Sequence, residues 1–210
     1  FISTDSIINF FNSDEYKKYQ SAAYVIRNYS ALDGEFYTDI HAARLCKINK
    51  DTRFVNPIHE SLFPMCEPIK YLSDVGEHYG YAGEANSPAI ISKYKRNADI
   101  LLKELEQGSG RNLIYAQLCD AFIMADDKKS AVRYCEMGLE KVSKNNIVYF
   151  AIMVKQIRIL DIMERYYDAV KLCERYFSER KTVTGLDLDV TFYRAKMLYK
   201  AADYENSAEY

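Results

Sequence analysis

The chain has 210 residues, 49% of them apolar, with only eight glycines and four prolines. That composition excludes a disordered chain and a loop-rich all-β fold, and favours a mostly helical protein able to bury a sizeable core. Lys and Arg (28) nearly balance Asp and Glu (30), so the net charge of −2 offers no general attraction for nucleic acid or an anionic membrane.

No apolar run approaches the roughly 18 residues of a membrane span, and the start, Phe1-Ile2-Ser3-Thr4-Asp5, carries no signal-peptide core. Cys46, Cys66, Cys119, Cys135 and Cys173 are odd in number, lack a CxxC spacing and sit mostly in apolar helical patterns. The expectation is reduced, buried thiols and a cytoplasmic protein. The 19 tyrosines, with no tryptophan, read as core packing with solvent-reaching hydroxyls.

Residues 1–86 predict a small α+β part. Thr4 or Asp5 can cap a first helix whose Ile7, Ile8, Phe10 and Phe11 lead to the break at Asn12-Ser13-Asp14, with a short second helical turn after it. Ala22–Tyr29, Ile40–Ile48 and Arg53–Leu62 suit strands, and Asn49-Lys50-Asp51 suggests a hairpin between the last two. Ile69–Leu72 and Val75–Tyr79 look like separate extended segments on either side of Ser73-Asp74, before Gly80 and Gly83 close this half.

Residues 87–210 are expected to be purely helical. A connecting helix begins near Pro88 and runs through Ile91, Tyr94, Ala98, Leu101, Leu102 and Leu105 to Gly108-Ser109-Gly110. Beyond it, small alanines recur at nearly equal intervals, at Ala131, Ala169 and Ala208, each among bulky residues at fixed offsets. Around Ala131 these are Tyr115, Leu118, Cys119, Phe122, Cys135 and Gly138. Around Ala169 they are Met153, Ile157, Leu160, Cys173 and Tyr176, and around Ala208 they are Phe192, Ala195 and Tyr199.

This frame resembles the tetratricopeptide repeat, in which two antiparallel helices interlock and successive pairs stack into a superhelix. The three units would span about 111–144, 146–180 and 187–210, the last one cut short. Their interval exceeds the roughly 34 residues usual for that repeat, which fits one extra helical turn or longer loops such as Lys181–Gly185. The unfinished third unit and the non-methionine start suggest a piece of a longer protein. Such a stack implies a groove for a protein, a peptide or another copy of the chain.

Arg44-Leu45-Cys46-Lys47, then Arg53-Phe54-Val55-Asn56-Pro57-Ile58-His59-Glu60-Ser61-Leu62, then Gly76-Glu77-His78-Tyr79-Gly80-Tyr81 occur in that order. They resemble the C-terminal part of the catalytic domain of family 2 glycosyltransferases of the GT-A type, with Asn56 standing where that family usually has glycine. Ser92-Lys93-Tyr94-Lys95-Arg96-Asn97 and Leu101-Leu102-Lys103-Glu104-Leu105 resemble the helix leaving that domain in members with a tetratricopeptide tail.

The resemblance implies a parent enzyme that moves a sugar from a nucleotide donor to a glycan, lipid-linked or protein acceptor with Mg²⁺ or Mn²⁺. The chain itself is expected to hold no cofactor. Glu60 or His59 would lie on the acceptor side as catalytic groups, with Arg44, His78 and Tyr81 binding substrate, since such a transfer needs a base for the acceptor hydroxyl. Structural alternatives are His59 bonded to a backbone carbonyl, Glu60 paired with Arg53, and His78 fixing a loop through Tyr79 or Tyr81.

The family's donor half, ending in an Asp-Xaa-Asp metal motif, is not in these residues, so the chain alone is expected to be inactive. Asp187-Leu188-Asp189 reads as a helix start, not a metal site. His41, His59 and His78 lack the spacing of a zinc site. Lys93, Lys95, Arg96 and Lys103 read as a solvated helix face. The rival reading is a non-catalytic tetratricopeptide scaffold with a private N-terminal cap.

Overall fold

The computed structural model describes residues 1–30, 34–58, 60–64, 67–79 and 87–201. The chain forms two compact units, Phe1–Ala85 and Asn86–Tyr210. Most of its regular structure is helical, with a small sheet region confined to the first unit.

In the first unit, helix α1 (Asp5–Asn12) and a 3-10 turn (Glu15–Lys18) precede strands β1 (Ser21–Tyr29), β2 (Tyr37–Cys46), β3 (Arg53–Val55), β4 (Ser61–Phe63) and β5 (Ile69–His78). Three strands form a sheet in the order β2-β1-β5, with β1 antiparallel to β2 and parallel to β5. The central place of β1 follows from Ala22 and Ala23, whose small side chains are almost fully buried. Phe10 of α1 packs with Ala22 and Leu72 as a small core, ringed by Ile7, Tyr16, Tyr19, Tyr24 and Leu45.

Four local expectations change in this unit. Thr4 makes no side-chain cap bond; the buried Asp74 of β5 instead accepts the Ser6 backbone N–H at 3.1 Å and the Ser6 hydroxyl. A carboxylate from another element thus satisfies a free donor at the positive end of α1. Ser73-Asp74 therefore does not separate two segments. They lie within the continuous β5, where Tyr71 to Val75 advances against only Ala23 to Val25 of β1, and the bulge accommodates the inward turn of Asp74.

The expected strand Arg53–Leu62 is a hairpin. Asn56 has φ +67°, which reverses the chain and pairs Arg53 with Phe63 and Val55 with Ser61. The turn at Asn49 does form, with Asp51 N–H donating to Asn49 Oδ1 at 2.9 Å, but the strands beside it take other partners: β2 pairs with β1, and β3 with β4.

The second unit is a run of helices: α2 (Pro88–Glu106), α3 (Leu113–Met124), α4 (Lys128–Lys141), α5 (Ile147–Ile162), α6 (Tyr166–Glu179) and α7 (Leu186–Lys200). Ser87 caps α2 with Pro88 in its first turn. Each helix packs on the next, and α5 also packs on α3 and α7. This central place explains why α5 is apolar around much of its circumference, with eight buried residues including Tyr149, Ile152, Met153 and Ile157.

The turns Ala125-Asp126-Asp127 and Met163-Glu164-Arg165, each between paired helices, share one structure. Asp126 and Glu164 have φ +59° and +58°, while Asp127 N–H and Arg165 N–H each reach a carbonyl five positions back, Phe122 and Leu160, at 2.9 Å. Helices α4 and α6 both have 14 residues, whereas α3 has 12 and α5 has 16. One extra turn in α5 accounts for the long interval between the two.

The alanine frame falls on closely packed positions. Ala131 and Ala169 are fully buried, and a Cβ on Gly138 would meet Tyr115 Cβ and Ile152 Cδ1, each at 2.8 Å. Ala208 lies outside the described residues, while Phe192 and Tyr199 of α7 are exposed. Cys119, Cys135 and Cys173 are free and buried, Cys46 is free and half-buried, and Cys66 lies outside the described residues. Among the described residues no helix is long and apolar enough to cross a membrane.

Asp187 and Asp189 occupy the first turn of α7. Asp187 accepts the Tyr176 hydroxyl at 2.7 Å and pairs with Arg180 at 3.2 Å, so it ties α6 to α7. Between α6 and α5, burial alone would raise the Glu179 carboxyl. Hydrogen bonds from Lys144, Tyr149 and Arg175 outweigh it and bring the carboxyl down to about 2.

Candidate functional site

Strands β1 and β5 run parallel, so their carboxyl ends lie on one side of the sheet, the side where ligands commonly bind to parallel strands. Their last paired residues are Asn28 and His78. Asn28 Oδ1 lies 2.9 Å from His78 Nδ1. With the amide oxygen as acceptor, this contact puts the imidazole proton on Nδ1.

On the opposite face of the same strand ends lies an aromatic and charged group, because successive strand residues alternate sides. Tyr29 stacks on Tyr79 with ring centres 4.4 Å apart and donates its hydroxyl to Glu77 Oε1 at 2.9 Å. The Glu77 hydrogen bond, then burial, holds the Tyr29 phenol above its ordinary range. On the neighbouring strand Asp39 receives two bonds from Arg27, at 2.9 and 2.8 Å, and the guanidinium lies 4.1 Å from the centre of the Tyr37 ring. The Arg27 hydrogen bond keeps the Asp39 carboxyl below the usual carboxylate range.

Beside these groups lies an open depression of about 650 Å³, lined by Asn28, Ser30, Glu35, Phe36, Tyr37 and Thr38. Amide, hydroxyl and carboxylate groups next to aromatic faces can hydrogen-bond a polyhydroxylated ligand while stacking on its apolar side.

Of the residues singled out from sequence, His78 stands at this strand end, held to Asn28 on the face opposite Tyr29 and Glu77. Arg44 is exposed and occupies a β-bulge, since Ala22 pairs with Leu45 and Ala23 with Ala43. The stretch of β1 from Ala23 to Asn28 puts that bulge about 17 Å along the sheet from His78. Glu60 is exposed in the β3–β4 hairpin, which is a separate two-stranded sheet. Arg53 donates to the Asp51 carbonyl at 3.1 Å and lies over the Phe63 ring, and no ion pair joins it to Glu60 among the described residues. His59 and Tyr81 lie outside the described residues.

Sequence reasoning missed Asn28, Tyr29 and Glu77. The available signal was Arg27-Asn28, a polar pair interrupting the run Ala22-Ala23-Tyr24-Val25-Ile26 in a central strand. Among the described residues no three His, Cys, Asp or Glu side chains are grouped to hold a metal ion. No protein-family model matches the chain, and no curated protein matches it in sequence.

Proposed function

We propose that the chain is the C-terminal part of a family 2 glycosyltransferase: the last strands of its catalytic domain, a connecting helix, and a tetratricopeptide tail. The parent moves a sugar from a nucleotide donor to a glycan, lipid-linked or protein acceptor, with Mg²⁺ or Mn²⁺ and the donor held outside these residues. Glu60 or His59 serves the acceptor hydroxyl, and the carboxyl end of β1 and β5, carrying Asn28 and His78, contributes to the wall of the acceptor side.

The observation that carries this reading is the backbone of Asn56. Its φ of +67° is a conformation that glycine enters freely and that asparagine tolerates better than most residues. Asparagine at the family's glycine position therefore preserves the turn in front of His59-Glu60. The helical tail takes the role of binding a protein, a peptide or a second copy, supported by the turn that recurs at Asp126 and Glu164.

The test is sugar transfer by the full-length protein carrying Glu60→Gln or His59→Ala. Loss of a general base lowers turnover by about 10²-fold or more with donor binding retained. Unchanged turnover in both variants refutes their roles. Helical repeats in place of an α/β segment with Asp-Xaa-Asp upstream of Phe1 would favour the scaffold.

A further inference from the structure

Asn28 pairs with Thr38 on β2 and with His78 on β5, so these three side chains share one face of the sheet. The ladder continues one step past β1, where the Ser30 N–H donates to the Phe36 carbonyl at 2.9 Å and the Ser30 hydroxyl donates to the same oxygen at 3.1 Å. Alternation therefore adds Ser30 and Phe36 to that face, while the Tyr37 ring lies beside Arg27 on the other. Asn28, Ser30, Phe36 and Thr38 all line the depression of about 650 Å³. Phe36 is 66% exposed, which leaves an aromatic ring open beside the polar pair.

The bond to His78 decides what Asn28 offers a ligand. Its Oδ1 accepts the Nδ1 proton at 2.9 Å, which engages the amide oxygen and leaves both Nδ2 hydrogens as donors. Neither Nδ2 nor the Thr38 hydroxyl has a hydrogen-bond partner among the described residues. The two groups come from facing positions with Cβ atoms about 4.5–5.5 Å apart, so they can reach two neighbouring oxygens of one ligand. Adjacent hydroxyls of a sugar ring present such a pair. A trans peptide group points its C=O and N–H in opposite directions and meets only one of the two. Glu35 lines the depression, and no Lys or Arg does among the described residues. Phosphates and uronic acids therefore meet a carboxylate and no cation.

We infer that this face is the acceptor subsite and takes a neutral pyranose through two adjacent hydroxyls. Asn28 and Thr38 bind the two oxygens, and Phe36 lies against the apolar side of the ring. His78 is a positioning residue, since it holds the amide oxygen and so presents the amino group to the ligand. The inference rests on the glycosyltransferase reading for the ligand's role as acceptor. Of the glycan, lipid-linked and protein acceptors, it selects the uncharged end of a glycan.

The test titrates the full chain with methyl glucoside and with methyl glucuronide, which carries a carboxylate in place of the hydroxymethyl group, and reads amide shifts at Ser30, Phe36 and Thr38. Saturable shifts with the glucoside at millimolar concentrations are expected, with the glucuronide about 3-fold weaker or more at low salt. Asn28→Asp keeps an acceptor for His78 Nδ1 and removes the two donors. It should preserve the rest of the amide spectrum and weaken the glucoside about 5- to 10-fold, the worth of one hydrogen bond. Nitrogen NMR shifts of the imidazole report the positioning role, with the proton on Nδ1 in the wild type and a mixture of tautomers in Asn28→Ala.

No saturable shift with the glucoside, shifts centred on Tyr29 and Glu77 of the opposite face, glucuronide binding as tight as the glucoside, or full glucoside affinity in Asn28→Asp would each overturn the subsite. Sugar transfer by the full-length protein that Asn28→Asp leaves unchanged would also overturn it, and would leave the enzyme reading standing. Glucoside binding weakened by Asn28→Asp upholds the sugar site even where the Glu60 and His59 variants transfer at the wild-type rate.

Discussion

Gly138→Ala tests how closely the helices of the second unit approach. Gly138 lies inside α4, where alanine is normally favoured over glycine by about 1 kcal/mol. Here the new methyl group would sit 2.8 Å from Tyr115 Cβ and 2.8 Å from Ile152 Cδ1. The isoleucine tip can swing away, but Tyr115 Cβ is attached to the backbone of α3 and moves only with that helix. Overpacking a dense core costs about 1–3 kcal/mol. Two short contacts, one of them rigid, belong at the upper end, which leaves a net loss of about 2 kcal/mol after the helix-propensity gain.

Urea unfolding of Gly138→Ala should show a lower midpoint with an unchanged slope. Adding Ile152→Val removes the flexible clash, so the double-mutant cycle should show a coupling of at least about 0.5 kcal/mol. An increase in stability of about 1 kcal/mol for Gly138→Ala alone would mean that only helix propensity acts at this position and would refute the close-approach reasoning.

Two other outcomes follow from ionisable groups. The Glu179 carboxyl is held down to about 2 against an ordinary 4.5. Its contribution is therefore complete above about pH 5 and is lost as pH falls toward 2. At about 1.4 kcal/mol per pH unit, and reduced because the group is partly exposed, it amounts to about 2 kcal/mol. Denaturation measured across that window should fall less steeply in Glu179→Gln than in the wild type, and parallel profiles would refute the assignment. Alkylation of the native protein followed by peptide mass mapping should mark Cys46 first and spare Cys119, Cys135 and Cys173. All three are buried, and burial raises the thiols of Cys135 and of Cys173, the latter to about 12. Modification of Cys135 or Cys173 at the rate of Cys46 would contradict the packing.

Where the chain's preferences are local, the elements were legible in the sequence. The Ser87-Pro88 start and the Gly108-Ser109-Gly110 stop bracket α2, and the alanine spacing located α4 and α6. Reading became ambiguous where one residue's dihedral or one distant partner decides. Pro57 allowed an irregularity after Val55, but the left-handed conformation of Asn56, and with it the return of the chain as β4, was not specified by the local sequence. The interval from Ala131 to Ala169 admitted an extra helical turn or a longer loop, and only the length of α5 chooses between them. For the site, His78 stood out as a rare titratable residue, but its partner Asn28 lies 50 residues earlier. That pair depends on parallel register between β1 and β5, which apolar alternation alone does not specify.

Asp74 gives the amino-terminal helix an anchor 68 positions downstream in the chain. Eight residues are too few to hold helical shape alone in water. The entry segment therefore draws its order from its contacts with β5 and the sheet and not from its own length. Cutting that one carboxylate contact would leave the first and last elements of this unit joined mainly by apolar packing, like a clasp without its pin.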